Sequence, residues 1–300
     1  MIEAIQVNKQ FDTIKAVDNI SATIKEGNVF GLVGSNGAGK STFIRMLSGI
    51  LKPDSGMIKI DGYEVFEQPK AKELIFYISD DQYFFSNATP KDLKEFYRIC
   101  YPRFDSKRFD LLMKQFDLDM KRKINTFSKG MKKQVSIICG ICANTKYLFC
   151  DETFDGLDPV MRQAVKSIFI KEISERNMTP VIASHNLREL EDICDHVGLL
   201  HKGGILLSKD LFDMKLSIHK IQVVFRGDVD INSIFNDKEI IKIDNRGSLY
   251  TITARGQLEE LTKVLEKVKP IFYEVLPLTL EEIFISETEV VGYDIKKLIF

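Results

Sequence analysis

The segment Gly34-Ser35-Asn36-Gly37-Ala38-Gly39-Lys40-Ser41-Thr42 spaces its glycines, its lysine and its hydroxyls as G-x-x-x-x-G-K-[ST]. Each residue type there has a use. Glycines let consecutive backbone N–H groups turn inward around a β-phosphate without a Cβ in the way. A helix opening at Lys40 would add about half a positive charge facing that anion. Lys40 is a mobile cation for the β- and γ-phosphates, and the Ser41 hydroxyl is a hard oxygen ligand suited to Mg²⁺. The apolar strand Val29–Val33 precedes the loop, and a helix carrying Phe43, Ile44, Met46 and Leu47 follows it. The context therefore matches a nucleotide-phosphate cradle at a strand-to-helix turn.

A second chemical element is Tyr147-Leu148-Phe149-Cys150-Asp151-Glu152, an apolar run that ends in two acids. A buried strand in an open α/β sheet delivers its last residues to the edge where such sheets bind ligands. Asp151 is expected to hold Mg²⁺ through water. Glu152 is expected to orient or deprotonate the attacking water.

The surrounding pattern supplies the elements that must place these groups. Short strands are expected at Ile20–Ile24, Val29–Val33 and Met57–Ile60, the last after the turn Lys52-Pro53-Asp54-Ser55-Gly56. Thr89-Pro90-Lys91-Asp92 gives an N-cap, a proline at the first helical position and an acid in the first turn. Leu93, Phe96, Tyr97 and Cys100 then mark one helical face, and a second helix is expected over Phe109–Phe116. After Ser128 the chain reads as helix, strand (Tyr147–Cys150), helix (Pro159–Arg176), strand (Val181–Ala183), helix (Leu187–Cys194) and strand (Val197–His201). Such alternation implies a parallel sheet faced by helices. Near Lys209–Ser217 the register changes. Beyond it, strands at Ile221–Phe225 and Leu249–Thr253 and helices at Leu258–Val268 and Leu280–Ile285 read as a small α+β domain. The last helix follows a Thr279-x-x-Glu282 capping box.

The bulk numbers fit a globular chain. A formal net charge of -1 over 300 residues gives no global pull toward nucleic acid or anionic lipid. Met1-Ile2-Glu3 does not resemble a signal peptide. The longest apolar run, Val135–Ala143, is far short of the roughly 18 residues that span a bilayer. Five scattered cysteines suit a reducing compartment. Cys139 and Cys142 form a C-x-x-C inside an apolar helix, where core packing is the expected role and a redox or metal site the rival.

Between the two chemical elements lies Thr126-Phe127-Ser128-Lys129-Gly130-Met131-Lys132-Lys133-Gln134, and after them come Phe154-Asp155-Gly156-Leu157-Asp158-Pro159 and Ala183-Ser184-His185-Asn186. In this order, over roughly Ile2 to Ser208, the chain resembles the ATP-binding subunit of ABC transporters. The resemblance implies an α/β fold: a P-loop NTPase core with an antiparallel β subdomain and an α-helical subdomain at about 89–135. It places an ABC ATPase nucleotide-binding domain at 1–212 and a C-terminal α+β accessory domain at 213–300. ATP and Mg²⁺ are the implied cofactors.

Under the same resemblance Ser128 and Gly130 belong to the signature segment that caps a nucleotide held by the opposite subunit, and Asp158 sits in the loop that meets that subunit. Ser128 also suits a plain helix cap, and Asp158-Pro159 a plain helix start. His185 matches the switch histidine that senses the γ-phosphate, and Phe11 the aromatic that stacks on adenine, with core packing as the rival for Phe11. Lys129 and Met131 depart from the family's usual glycine and glutamine. Where the family ends its next strand with a metal-ligating glutamine, this chain has Asp80, with Gln82 two residues on as the alternative; the carboxylate is the stronger hard-cation ligand.

Tyr83-Phe84-Phe85 comes next, and Phe96, Tyr97, Tyr101 and Phe104 lie in the helical stretch that the family uses to grip its permease. Some of this aromatic cluster is expected to line a groove for a permease helix, with simple core packing as the rival. The tail Leu276-Pro277-Leu278-Thr279-Leu280-Glu281-Glu282-Ile283-Phe284-Ile285 resembles subunits that pair with ABC-2-type exporter permeases. The implied partners are ATP, a membrane permease on a separate chain and a second ATPase subunit, identical or not, with no nucleic acid. The implied place is the cytoplasmic side of the cell membrane, reached through the permease. Rival readings are a soluble ABC ATPase acting on ribosomes or DNA, a degenerate half of a heterodimer, and a P-loop small-molecule kinase.

Overall fold

Strands that are apolar on both faces need cover on both sides, and in this chain helices supply it. The first elements are β1 (Ile2–Phe11), β2 (Ile14–Ile24), β3 (Phe30–Val33), α1 (Lys40–Leu47), β4 (Ser55–Ile60), β5 (Tyr63–Glu64), α2 (Pro69–Lys72), β6 (Ile75–Ile78), α3 (Pro90–Cys100) and α4 (Ser106–Gln115). The chain continues through α5 (Lys129–Cys142), β7 (Tyr147–Asp151), α6 (Pro159–Arg176), β8 (Thr179–Ser184), α7 (Leu187–Glu191), β9 (His196–His201) and β10 (Gly204–Asp210). The structure, a computed structural model, describes residues 1–227 and 229–290. Its contacts divide the chain into two units, Met1–Ser208 and Lys209–Phe300.

In β3, β7 and β8 every residue is buried. They sit inside a six-stranded sheet of order β10-β9-β3-β8-β7-β6. Strands β9, β3, β8, β7 and β6 run parallel to one another, so their C-terminal ends meet along one edge. A second, antiparallel sheet of order β2-β1-β4-β5 lies against α1 and the first sheet. One continuous core joins them: Ile2, Val7, Ile20 and Ile60 pack with Phe43, Met46, Phe149 and Val181. Strand β1 gave no sequence signal because its alternation is broken. Gln6 takes a left-handed φ of 48°, and the β1–β2 register shifts three times along its length.

Helix starts follow the expected chemistry. Thr89 and Asp92 form a reciprocal capping box at α3, whereas α4 starts at Ser106, before the expected Phe109, because Asp105 caps it there. Helix α6 has the expected limits. Helix α7 stops three residues short of expectation, at Glu191, because the N–H groups of Asp195 and His196 turn to the Val29 carbonyl. Helix α5 packs on α3, α4 and β6. The buried Glu172 of α6 pairs with Arg108 of α4 and with Arg176, which also donates to the Thr145 carbonyl. That triad ties the helical segment to the base of β7.

The second unit contains α8 (Leu211–Ser217), β11 (Ile218–Val224), α9 (Ile231–Ile234), β12 (Glu239–Arg246), β13 (Leu249–Arg255), α10 (Leu258–Val268), β14 (Phe272–Leu276) and α11 (Leu280–Val290). Its sheet order is β12-β13-β11-β14, antiparallel throughout. From β11 to β14 this is the split β-α-β-β-α-β arrangement. Ile221, Val223, Ile252 and Ala254 pack there with Phe235, Leu261 and Leu265. The capping box at α11 forms as expected, with Thr279 and Glu282 exchanging hydrogen bonds. Positions 291–300 of the expected accessory domain lie outside the described residues.

Asp61, at the tight turn between β4 and β5, locks the antiparallel sheet to the start of β7. Its carboxylate accepts from Lys146 Nζ at 2.7 Å, from the Tyr147 hydroxyl at 2.7 Å and from the Met1 ammonium at 2.5 Å. Burial pushes this carboxyl up, but the hydrogen bonds from Lys146, the amino terminus and Tyr147 outweigh it and hold it at about 2. Because the folded value lies below the ordinary aspartate value of about 3.9, its stabilisation is complete above that pH and fades as pH falls toward 2. Asp61→Asn should therefore melt below the parent at neutral pH. The gap between the two melting curves should close as the pH is lowered from about 4 to about 2.

Candidate functional site

The edge where the parallel strands end carries the reactive groups. Val33 is in register with Ser184, and Asp151 with Ala183, so the loops after β3, β7 and β8 leave the sheet side by side. The loop after β3 is the glycine-rich segment. Gly39 caps α1 with φ 103° and offers no capping side chain, which leaves the first turn's N–H groups to an anion. A Cβ at Gly39 would stand 2.2 Å from the Ala16 carbonyl oxygen, and one at Gly34 would stand 2.4 Å from that of Leu200. Ser35, Asn36 and Gly37 are exposed, Ala38 is buried, and Thr42 is half-buried.

Lys40 is almost wholly buried. Its ammonium donates to the carbonyls of Gly34 at 2.8 Å and Ser35 at 3.2 Å, and it lies 3.4 Å from Glu152 Oε1. Ser41 Oγ donates to Asp151 Oδ1 at 2.9 Å. The other Asp151 oxygen accepts from the Tyr77 hydroxyl at 3.2 Å, and Arg45 Nε lies behind that hydroxyl at 3.4 Å. Asp151 has no exposed surface. Burial raises its carboxyl above the usual range, against the pull of Ser41, Tyr77 and Arg45.

Glu152 follows with a left-handed φ of 47°, a strained setting for a non-glycine residue and typical of functional positions. Its N–H donates to the Ala183 carbonyl at 3.0 Å. Its Oε2 meets His185 Nδ1 at 2.9 Å and accepts from the His185 N–H at 3.3 Å. Lys40, Ser41, Asp151, Glu152 and His185 thus form one connected cluster drawn from three adjacent strand ends.

The other expected residues lie apart from that cluster. Ser128 caps α5, its hydroxyl accepting from the Met131 N–H at 3.2 Å, and is exposed. Gly130 lies close enough to the next loop that a Cβ would stand 3.1 Å from the Gly156 carbonyl oxygen. Asp158 is exposed and caps α6 through the N–H groups of Val160 and Met161. Phe11 is 46% exposed at the end of β1, with the Lys9 ammonium 5.5 Å from its ring centre, so it is not a core residue. Asp80 is not joined to Ser41 or Asp151 by any hydrogen bond; it pairs with Lys133 at 3.2 Å. Gln82 turns back toward the Ser79 carbonyl at 3.4 Å.

The aromatic set divides by exposure. Tyr83, Phe85 and Phe96 stand exposed with successive ring contacts, whereas Phe104 is core. Cys139 and Cys142 are buried, free thiols, and burial pushes Cys142 up to about 12 and Cys139 well above the ordinary thiol range.

Several supporting residues carry no sequence motif. Tyr77 and Arg45 sit behind Asp151. Glu189 accepts from Ser184 Oγ at 2.9 Å and lies 3.6 Å from Arg162, which donates to the Leu157 carbonyl at 3.3 Å. This links the His185 loop to the Asp158 loop. Lys133 is a further case, a lysine one turn inside α5 with no exposed surface.

Comparison with known proteins settles the family. A family model described as ABC transporter matches residues 17–155. The chain is 34% identical over 287 residues to the ABC transporter ATP-binding protein YtrB of Bacillus subtilis (strain 168), covering 96% of this chain and 98% of that protein. The chain belongs to the ABC transporter ATP-binding proteins. As such it is the ATP-binding, ATP-hydrolysing subunit of a transporter. The bacitracin transport ATP-binding protein BcrA of Bacillus licheniformis is 32% identical over 209 residues, which are 69% of this chain and 68% of that one. The fold of this ABC subunit matches a dimeric ATP-binding cassette solved in a post-hydrolysis state with ADP and Pi. The TM-score is 0.64 at 20% identity, over 70% of this chain and 99% of that one. Among the described residues no helix is long and apolar enough to cross a membrane.

Because Gly39 combines a left-handed φ with a 2.2 Å approach to Ala16, Gly39→Ala should cost about 2–3 kcal/mol of stability. A clear drop in melting temperature checks this; an unchanged melt would show that the loop yields without strain.

Proposed function

We propose that this ATP-binding subunit works as a dimer that holds Mg·ATP between the Gly34–Thr42 loop of one subunit and Ser128 and Gly130 of the other, and drives an export permease on a separate chain. The observation that carries the reading is the connected cluster Lys40–Glu152–His185 beside Ser41–Asp151. Glu152 is the base: His185 fixes one carboxylate oxygen, leaving the group directed at a water that attacks the γ-phosphate. Lys40, held within the loop by Gly34 and Ser35, meets the β- and γ-phosphates and balances charge that develops there. Phe11 offers an exposed ring for the adenine to stack on.

The residues fit a magnesium ion. Ser41 Oγ and Asp151 Oδ1 are hard oxygens 2.9 Å apart at the mouth of the phosphate loop, the donor type Mg²⁺ selects. Mg²⁺, when bound, neutralises charge on the phosphates. Ser41 and Asp151 would hold it, with Asp80 as the third donor read from the resemblance.

Dimer formation is supported by the exposure of Ser128 and Asp158 and by the dimeric state of the cassette with the same fold. The permease is expected to seat on the exposed ridge of Tyr83, Phe85 and Phe96. That would place the subunit on the cytoplasmic side of the membrane. Export as the direction is supported by a relative named for bacitracin transport and by the tail at Leu276–Ile285.

Glu152→Gln should bind ATP yet turn over about 100- to 1000-fold more slowly. Light scattering should find it as a dimer with Mg·ATP and a monomer without. Lys40→Ala should lose about 100-fold in ATP affinity, the cost of leaving phosphate charge without its buried partner. Native turnover in Glu152→Gln, or native affinity in Lys40→Ala, would remove the assigned roles.

A further inference from the structure

Lys133 lies on α5, just beyond the first turn that Ser128 caps, and its side chain has no exposed surface. A buried ammonium is costly unless acceptors surround it. Three do, each from a different segment. The Glu152 backbone carbonyl accepts at 2.5 Å and Asp80 Oδ1 at 3.2 Å, while Asp155 Oδ2 stands at 4.0 Å. One cation thus joins the helix that begins at Ser128 to the end of β7, to the loop after β6 and to the loop leading into α6.

The contact with Glu152 has a specific consequence. A non-glycine residue keeps a φ of 47° only where its surroundings over-determine it. Ala183 holds the Glu152 N–H, His185 and Lys40 hold the carboxylate, and the carbonyl accepts from Lys133 at 2.5 Å and, more weakly, from the Asp155 N–H at 3.3 Å. Without Lys133 the carbonyl keeps only the longer bond from the Asp155 N–H, and the left-handed backbone at the Cα that carries the carboxylate loses its shortest restraint.

We propose that Lys133 is a positioning residue that fixes the Glu152 peptide to the helix opened by Ser128, so that the placement of this helix sets the direction of the Glu152 carboxylate. The inference rests on the ATPase reading above and adds to it a route within one subunit from its signature segment to its own base. Asp80 and Asp155 serve as counter-charges that make a lysine tolerable at this depth.

The test compares wild type, Lys133→Met, Lys133→Gln and Lys40→Ala. The readouts are steady-state ATPase activity, binding of a fluorescent ATP analogue and thermal melting. Lys133→Met keeps the aliphatic stem and removes the charge. Its kcat should fall about 10- to 100-fold, as a small misplacement of a reacting group does, while KM and the affinity for the analogue stay within about twofold. Should the Met variant melt well below the parent, Lys133→Gln, which keeps a donor on a shorter stem, replaces it in the same readouts. Turnover at the wild-type level in the folded variant overturns the proposal. So does a loss in which affinity falls in step with kcat, since that marks a general structural defect. A defect in Lys40→Ala beside native turnover in the Lys133 variants would leave the ATPase reading standing without this role. Absence of turnover in the wild type would overturn both.

Discussion

Asp151 is a carboxylate that the fold has taken entirely out of water, and much of the site's geometry depends on that. A buried charge persists only where donors replace the lost hydration. Strand β7 is flanked on both sides by parallel strands, so its last residue cannot turn outward to solvent. The donors must come from neighbours: the Ser41 hydroxyl from α1 and the Tyr77 hydroxyl from β6, the latter backed by Arg45. Satisfying one carboxylate therefore fixes the first turn of α1 against the end of β7. That in turn brings Lys40 to within 3.4 Å of Glu152. The glycine positions follow from the same closeness, because α1 can approach only where Gly34 and Gly39 leave room for the carbonyls of Leu200 and Ala16.

The parts of this arrangement that were legible in the sequence are those dictated by local chemistry. The glycine spacing before Lys40 and the apolar run ending in Asp151 and Glu152 each have a backbone reason that acts over a few residues. The helix starts at Thr89, Ser128, Asp158 and Thr279 were readable on the same ground, since a cap needs only a side-chain oxygen two or three residues from the N–H it accepts. That the large sheet is built from parallel strands follows from their alternation with helices.

What the sequence concealed depends on groups distant along the chain. Tyr77 reads as one more aromatic in a buried strand, and its hydroxyl gains meaning only when β6 lies beside β7. Lys133 reads as a solvated lysine in a basic stretch. It is buried because α5 docks on β6 and closes over it. Strand β12 escaped for a different reason: it is an edge strand whose residues are mostly exposed, so no apolar alternation marks it. The split arrangement of the second unit depends on β13 pairing between β11 and β12, a long-range choice with no local sign.

The departures from the family pattern can be weighed by what each position must do. At the start of α5 the cap uses the Ser128 hydroxyl and the backbone N–H of residue 131, so Met131 serves as well as any side chain. Lys129 points outward, 69% exposed and 3.4 Å from Asp155, and nothing there demands a glycine. Gly130 does meet a steric limit, at the Gly156 carbonyl, and it is retained. Asp80 differs from these in being coupled: an amide in its place would leave the buried Lys133 without its nearest carboxylate. The chain thus departs where geometry is indifferent or where a second residue answers the change. A degenerate site would instead be expected to lose groups at constrained positions, and here Lys40, Glu152 and His185 remain paired in series beside the Ser41–Asp151 pair.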